Sequence, residues 1–175
     1  AIQGLKSAML ARVGDEHNGR FLRETLNRAG VDTEYLITDK SRLTALVMLG
    51  IKDQETFPLI FYRDNCADMA LTPDDISEEY IASSRALAVT GTHLSHANTR
   101  AAVLKALEYA RRHGLRTALD IDYRPVLWGL TSLGDGETRF IESGPVTSQL
   151  QEVLHLFNLV VGTEEEFHIA GGSTD

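Results

Sequence analysis

Cysteine is nearly missing from this chain of 175 residues. Cys66 stands alone, which excludes an internal disulfide framework and a cysteine-based zinc site, and it predicts a reducing, cytoplasmic setting. Positive charge is scarce as well. Lys and Arg number 17 against 25 Asp and Glu, for a formal net charge of −8, and no basic stripe is present. Non-specific nucleic-acid binding rests on phosphate neutralisation by Lys and Arg, so nucleic acid is not an expected partner. No apolar run approaches the roughly 18 residues of a membrane span, and no signal peptide is visible, so no membrane partner is expected either. The P-loop, the dinucleotide fingerprint, the G-x-S-x-G elbow and the zinc spacings are all absent. What remains is 43% hydrophobic with 14 Gly and 4 Pro, enough for one core and short for two domains.

The pattern along the chain is that of an α/β protein. SAMLARVG (7–14) reads as a strand. DEHNGRFLRETLNRAG (15–30) reads as a helix, with Asp15 as N-cap, Phe21, Leu22, Leu26 and Ala29 on its apolar face, and Gly30 at its end. A β-rich stretch follows. LTALVMLGI (43–51) and FPLIFYR (57–63), joined by KDQET, carry a hairpin signal. LTPDDISEEYIASS (71–84) reads as a turn and a short helix. Strands RALAVTG (85–91), RTALDID (116–122) and NLVVGT (158–163) then alternate with helices. The helix over 96–114 places Ala97, Ala101, Leu104, Leu107 and Ala110 on one face, and two more span 146–157 and 164–172. Such alternation predicts right-handed βαβ units and a mostly parallel sheet flanked by helices.

In open α/β sheets ligands bind beyond the carboxyl ends of the strands. Those positions hold Gly14-Asp15, Thr90 to His93, Asp120 to Arg124, and Gly162 to Glu165. Asp120 and Asp122 suit a metal-bound phosphate, and Arg124 suits an anionic or polyol ligand. Position alone equally allows a local ion pair and a helix N-cap ahead of Pro125. His93 and His96 lie three apart with no third ligand nearby, which favours capping or solvated histidines over a metal site. The helix dipole alone accounts for the acidic turn Glu164, Glu165 and Glu166. GDGE (134–137) reads as a turn, and Cys66 as an inert thiol.

Taken in order, four stretches resemble the ribokinase-like (PfkB) family of carbohydrate kinases. They are GLKSAMLARVGDEHNGRFLRETLNRAGVDT (4–33), LIFYRDNCADMALTPDDI (59–76), LDIDYRPVLW (119–128) and VVGTEEEF (160–167). Asp122 and Gly162 stand where the family usually has Asn. The resemblance implies a ribokinase-like fold with core residues 1–30 and 64–175 and a small β-rich lid over 31–63, through which two chains can pair as a homodimer. It implies ATP and Mg2+ as cofactors. Asp120 and Asp122 then lie on the phosphate–Mg2+ side, Glu165 near the metal, and Tyr62, Arg63 and Arg124 at a small-molecule sugar acid, while Leu127 and Trp128 pack. The last two motifs are most similar to the branch that phosphorylates 5-dehydro-2-deoxygluconate in inositol catabolism. A 2-keto-3-deoxygluconate kinase, a fructokinase and a non-catalytic sugar-binding module are the alternatives. The family's G-A-G-D anion hole and its Asp base have no counterpart up to Asp175, and the glycine-rich sugar loop would precede Ala1. The expectation is therefore a piece of a kinase that holds no catalytic base of its own and is inactive alone.

Overall fold

Parallel strands alternating with helices set the architecture of the computed structural model, which describes residues 3–51, 53, 59–135 and 138–174. The chain forms two compact units, Ala1–Met48 with Phe61–Leu71 and Leu49–Ile60 with Thr72–Asp175.

In the first unit, β1 (Ser7–Ala8) and β2 (Ala11–Gly14) lead into α1 (His17–Arg28), followed by β3 (Val31–Asp32) and β4 (Leu36–Asp39). β1 pairs in parallel with β3 and β2 with β4, so that Gly14 lies opposite Asp39. Residues 31–32 and 36–39 thus pair in parallel with the strands ahead of α1. The expected N-cap at Asp15 moves. The Asp15 amide donates to the Asp39 carbonyl at 3.1 Å and prolongs the ladder, so α1 starts one residue later. Glu16 caps it, accepting from the amides of Asn18 at 2.6 Å and Gly19 at 3.2 Å. Phe21 and Leu22 are exposed, contrary to the apolar face expected for α1. Arg23 instead reaches the Thr33 carbonyl, the Leu36 carbonyl and the Thr38 hydroxyl. Further on, β5 (Leu46–Leu49) and β6 (Leu59–Tyr62) form a two-stranded sheet, as the two β-rich runs predict. Of the residues that join them, 52 and 54–58 lie outside the described ones.

The second unit carries the regular βαβ rhythm. Its elements are α2 (Glu78–Ala82), β7 (Ala86–Thr90), α3 (Ala97–Arg112), β8 (Arg116–Asp120), α4 (Gly144–Leu154), β9 (Leu159–Val161) and α5 (Glu164–Gly171). β7, β8 and β9 form one parallel sheet in that order. A single apolar cluster fills the space beneath it, with Leu107, Leu119, Ile121, Leu150 and Ile169 almost wholly buried and Trp128 packed against them. The face of α3 that enters the interior is Thr99, Ala102, Val103, Ala106, Leu107 and Ala110. Ala97 and Ala101, expected inside, are exposed. Of the GDGE turn, Gly136 and Glu137 lie outside the described residues.

Candidate functional site

The three strands of the second unit release their chains at one edge, and close backbone approach shapes that edge. After β7 comes Gly91, where a Cβ atom would lie 2.1 Å from the Ile121 carbonyl oxygen, so only glycine fits. After β9 comes Gly162, where a Cβ would meet Ile121 Cδ1 at 2.9 Å and Glu166 Oε2 at 3.1 Å. Between them the chain leaving β8 turns through Asp122, a non-glycine residue with φ of 39°. Few L-residues adopt that left-handed conformation, and Asp and Asn do so most readily.

Four side chains then join across the three strand ends. The Thr90 hydroxyl donates to Asp122 Oδ2 at 3.1 Å. Arg124 Nη2 pairs with Asp122 Oδ1 at 2.6 Å, and its Nη1 reaches Glu166 Oε1 at 3.3 Å and the Tyr123 carbonyl at 2.8 Å. Glu166 in turn accepts from the Tyr123 amide through Oε1 and from the Thr163 amide through Oε2, both at 2.9 Å. The local ion pair that position alone allowed therefore forms, but no side chain caps the 3-10 turn Pro125–Trp128. Tyr123 is buried, its hydroxyl donates to the Ile141 carbonyl at 2.7 Å, and burial pushes its pKa up to about 12. Asp120 is exposed at the end of β8 and makes no side-chain hydrogen bond or ion pair with a described residue.

Reading the acidic turn as one block missed Glu166. Thr163 and Glu166 form a capping box: the Thr163 hydroxyl accepts from the Glu166 amide while the Glu166 carboxylate reaches back to the Thr163 amide. A T-x-x-E spacing announces that geometry, and it turns the third glutamate inward. Glu165 is exposed; a hydrogen bond to its own amide, then one to Thr163, holds its pKa below the usual carboxylate range. Among the described residues no group of three or more His, Cys, Asp and Glu is arranged to hold a metal ion, and the His93 and His96 pair forms none. Both oxygens of Glu166 are taken by backbone amides, and Asp122 is taken by Thr90 and Arg124. A Mg2+ ion, which demands about six oxygen ligands near 2.1 Å, does not fit these carboxylates as they stand.

Tyr62 and Arg63 belong to the first unit. Tyr62 is 55% exposed. Arg63 is largely buried, and its Nε donates to Asp68 Oδ2 at 2.6 Å. Neither of its Nη atoms pairs with a described residue, so both can donate to a bidentate acceptor. Burial raises the pKa of the Cys66 thiol most, and Asp68 adds to that against the opposing charge of Arg63, in keeping with an inert sulfur. The strand ends of this unit carry polar groups that sequence reasoning also missed. Glu16 accepts from the Thr44 hydroxyl and, at 3.1 Å, from the Thr44 amide, while the Gly14 amide donates to the Thr44 hydroxyl at 2.9 Å. Asp39, at the end of β4, accepts from the amide and hydroxyl of Ser41 and pairs with Arg42 at 3.1 Å and Arg12 at 3.4 Å.

Parallel strands, a glycine-lined strand edge and an arginine held between two acids define an α/β protein with a candidate site at its strand ends. The family follows from comparison: the whole chain, residues 1–175, matches the pfkB family of carbohydrate kinases, and the chain belongs to that family. It is 44% identical over 126 residues to the 5-dehydro-2-deoxygluconokinase of Geobacillus thermodenitrificans, covering 71% of this chain and 37% of that protein. It is 33% identical over 177 residues to the enzyme of the same name from Bacillus subtilis, covering 98% of this chain and 51% of that protein. The chain thus spans about half or less of the length of these relatives. Among solved structures it is similar to a PfkB protein from Polaromonas sp. JS666, with a TM-score of 0.83 at 24% identity, over 98% of this chain and 54% of that one. A putative ribokinase II from E. coli, solved in complex with ATP and Mg2+, gives a TM-score of 0.78 at 19% identity, over 95% and 49%. Both confirm the ribokinase-like α/β fold. Among the described residues no helix is long and apolar enough to cross a membrane.

Proposed function

We propose that the chain is part of an ATP-dependent kinase that phosphorylates the hydroxymethyl group of a keto sugar acid, 5-dehydro-2-deoxygluconate, in inositol catabolism in the cytoplasm. The observation that carries this reading is the likeness over most of the chain to two relatives that bear that enzyme's name. Phosphoryl transfer asks a protein mainly for positioning and charge stabilisation. Arg63 suits the acid end of the sugar: Asp68 fixes its Nε and leaves the Nη pair for a carboxylate. Tyr62, exposed beside it, offers a hydroxyl to the same ligand. Asp120, without a side-chain partner among the described residues, is assigned to the metal–phosphate side, and Glu165, exposed at the N-terminal turn of α5, to the metal. Mg2+ would arrive with ATP and screen the transferring phosphate's charge. Arg124, paired with Asp122 and Glu166 through its two Nη atoms, keeps its Nε–H and a second Nη2 hydrogen for substrate. The apolar residues of β5, all four exposed, support pairing of two chains through the lid.

The test is ADP release by the full product of the gene, with 5-dehydro-2-deoxygluconate, 2-keto-3-deoxygluconate and fructose offered in parallel. The first should be preferred, and fructose, which has no carboxylate, should fall behind it by about a hundredfold in kcat/KM, as expected when a largely buried arginine is left without its acid partner. Equal rates on fructose, or no turnover on any of the three, would overturn the reading.

A further inference from the structure

Arg124 occupies the place where a cation is needed. Its guanidinium sits between the carboxylates of Asp122 and Glu166, at 2.6 and 3.3 Å, and it is permanently charged. Hydrogen bonds hold both acids in place beside it. Asp122 spends its second oxygen on Thr90, and Glu166 spends both on the backbone of residues 123 and 163. The three side chains are 35%, 28% and 11% exposed for Arg124, Asp122 and Glu166, so water screens their attraction only in part. The left-handed backbone at Asp122, a conformation few L-residues adopt, goes with a carboxylate placed between Thr90 and Arg124.

We propose that Arg124 is a built-in counter-ion that closes the Asp122–Glu166 pair to free divalent cations. On the kinase reading, which this inference extends, a metal ion then reaches the strand edge already bound to nucleotide phosphates. The protein does not load it in advance. Arg124 is a positioning residue in this role: it keeps two acids paired and in place without touching the reacting atoms.

The experiment needs neither nucleotide nor turnover, so it stands apart from the fate of the kinase reading. Mn2+, which shares the oxygen preference of Mg2+, is titrated into the purified full product of the gene, and the free ion is followed by its electron paramagnetic resonance signal. The wild-type chain should show no site that depends on Asp122. Arg124→Gln should gain one site per chain, tighter by about tenfold or more, because two adjacent carboxylates are left without their cation. The double variant Arg124→Gln with Asp122→Asn should lose that gain, and Arg124→Lys should not acquire it. A folded Arg124→Gln chain that binds Mn2+ no better than wild type would overturn the proposal. So would a wild-type site that Asp122→Asn abolishes. Should Arg124→Gln fail to fold by circular dichroism, the comparison of wild type with Asp122→Asn decides alone: a lost site refutes the proposal, and unchanged binding supports it.

Discussion

A methyl group added at Gly91 would lie 2.1 Å from the Ile121 carbonyl oxygen, and backbone cannot yield there without parting the ends of β7 and β8. Gly91→Ala should therefore lower stability by about 1–3 kcal/mol, the usual cost of overpacking, read as a shift in the urea midpoint. Gly144→Ala is the control, because nothing lies within 4 Å of the added atom. There the change should be neutral or mildly stabilising, by about 0.4–1 kcal/mol, through the less flexible unfolded chain. Equal losses at both positions would refute close approach as the reason for glycine at 91. Asp122 shows the complementary case at the same scale. A side chain is present although the backbone is left-handed, and its contacts with Thr90 and Arg124 are what it contributes in return.

At the scale of elements, what was legible followed from periodicity and what was not followed from ties between distant residues. The order β7, α3, β8, α4, β9, α5 could be read from alternating apolar runs with capping residues between them, and it stands nearly as expected. The buried face of α3 was shifted because alanine is spread around much of that helix, and small side chains carry little directional signal. Glu166 was hidden among three glutamates until its box with Thr163 singled it out. The Asp39 network was illegible for a different reason: Arg12 lies 27 residues away in sequence and meets Asp39 only because β2 and β4 pair. That network yields a pH prediction. Hydrogen bonds from Ser41, and then the Arg42 charge, lower the Asp39 pKa from 3.8 to about 2. A depressed folded-state pKa stabilises the fold fully above the unfolded value and loses that contribution as pH falls toward the folded one. Stability should thus drop between about pH 4.5 and pH 2, and Asp39→Asn should remove that part of the drop while lowering stability at neutral pH. Urea midpoints across that range check it, and an unchanged slope in the variant would refute the assignment.

Across the whole molecule the two units differ in what holds them. The second rests on an apolar cluster, with Leu119 wholly buried and Leu107, Ile121, Leu150 and Ile169 at 1% exposure. Burial of that kind is worth about 1.5–3 kcal/mol for each large side chain and does not respond to pH. The first has fewer large apolar residues buried, chiefly Val13, Leu36, Phe61 and Leu71, and it leans on polar groups at its strand ends, Asp39, Thr44 and Glu16. Local stability follows such differences, and amide exchange reports it residue by residue. At neutral pH the amides of β8 should be the slowest in the chain, and those of β2 and β4 should exchange faster. Below the ordinary carboxylate range the gap should widen, because the opened chain takes up a proton at Asp39 that the folded chain resists, while the apolar cluster is unaffected. Exchange measured by mass spectrometry at two pH values tests both statements. One common opening free energy for β4 and β8 at both pH values would mean that the chain unfolds as a single cooperative body, and the division of its stabilising forces by unit would then have no energetic meaning.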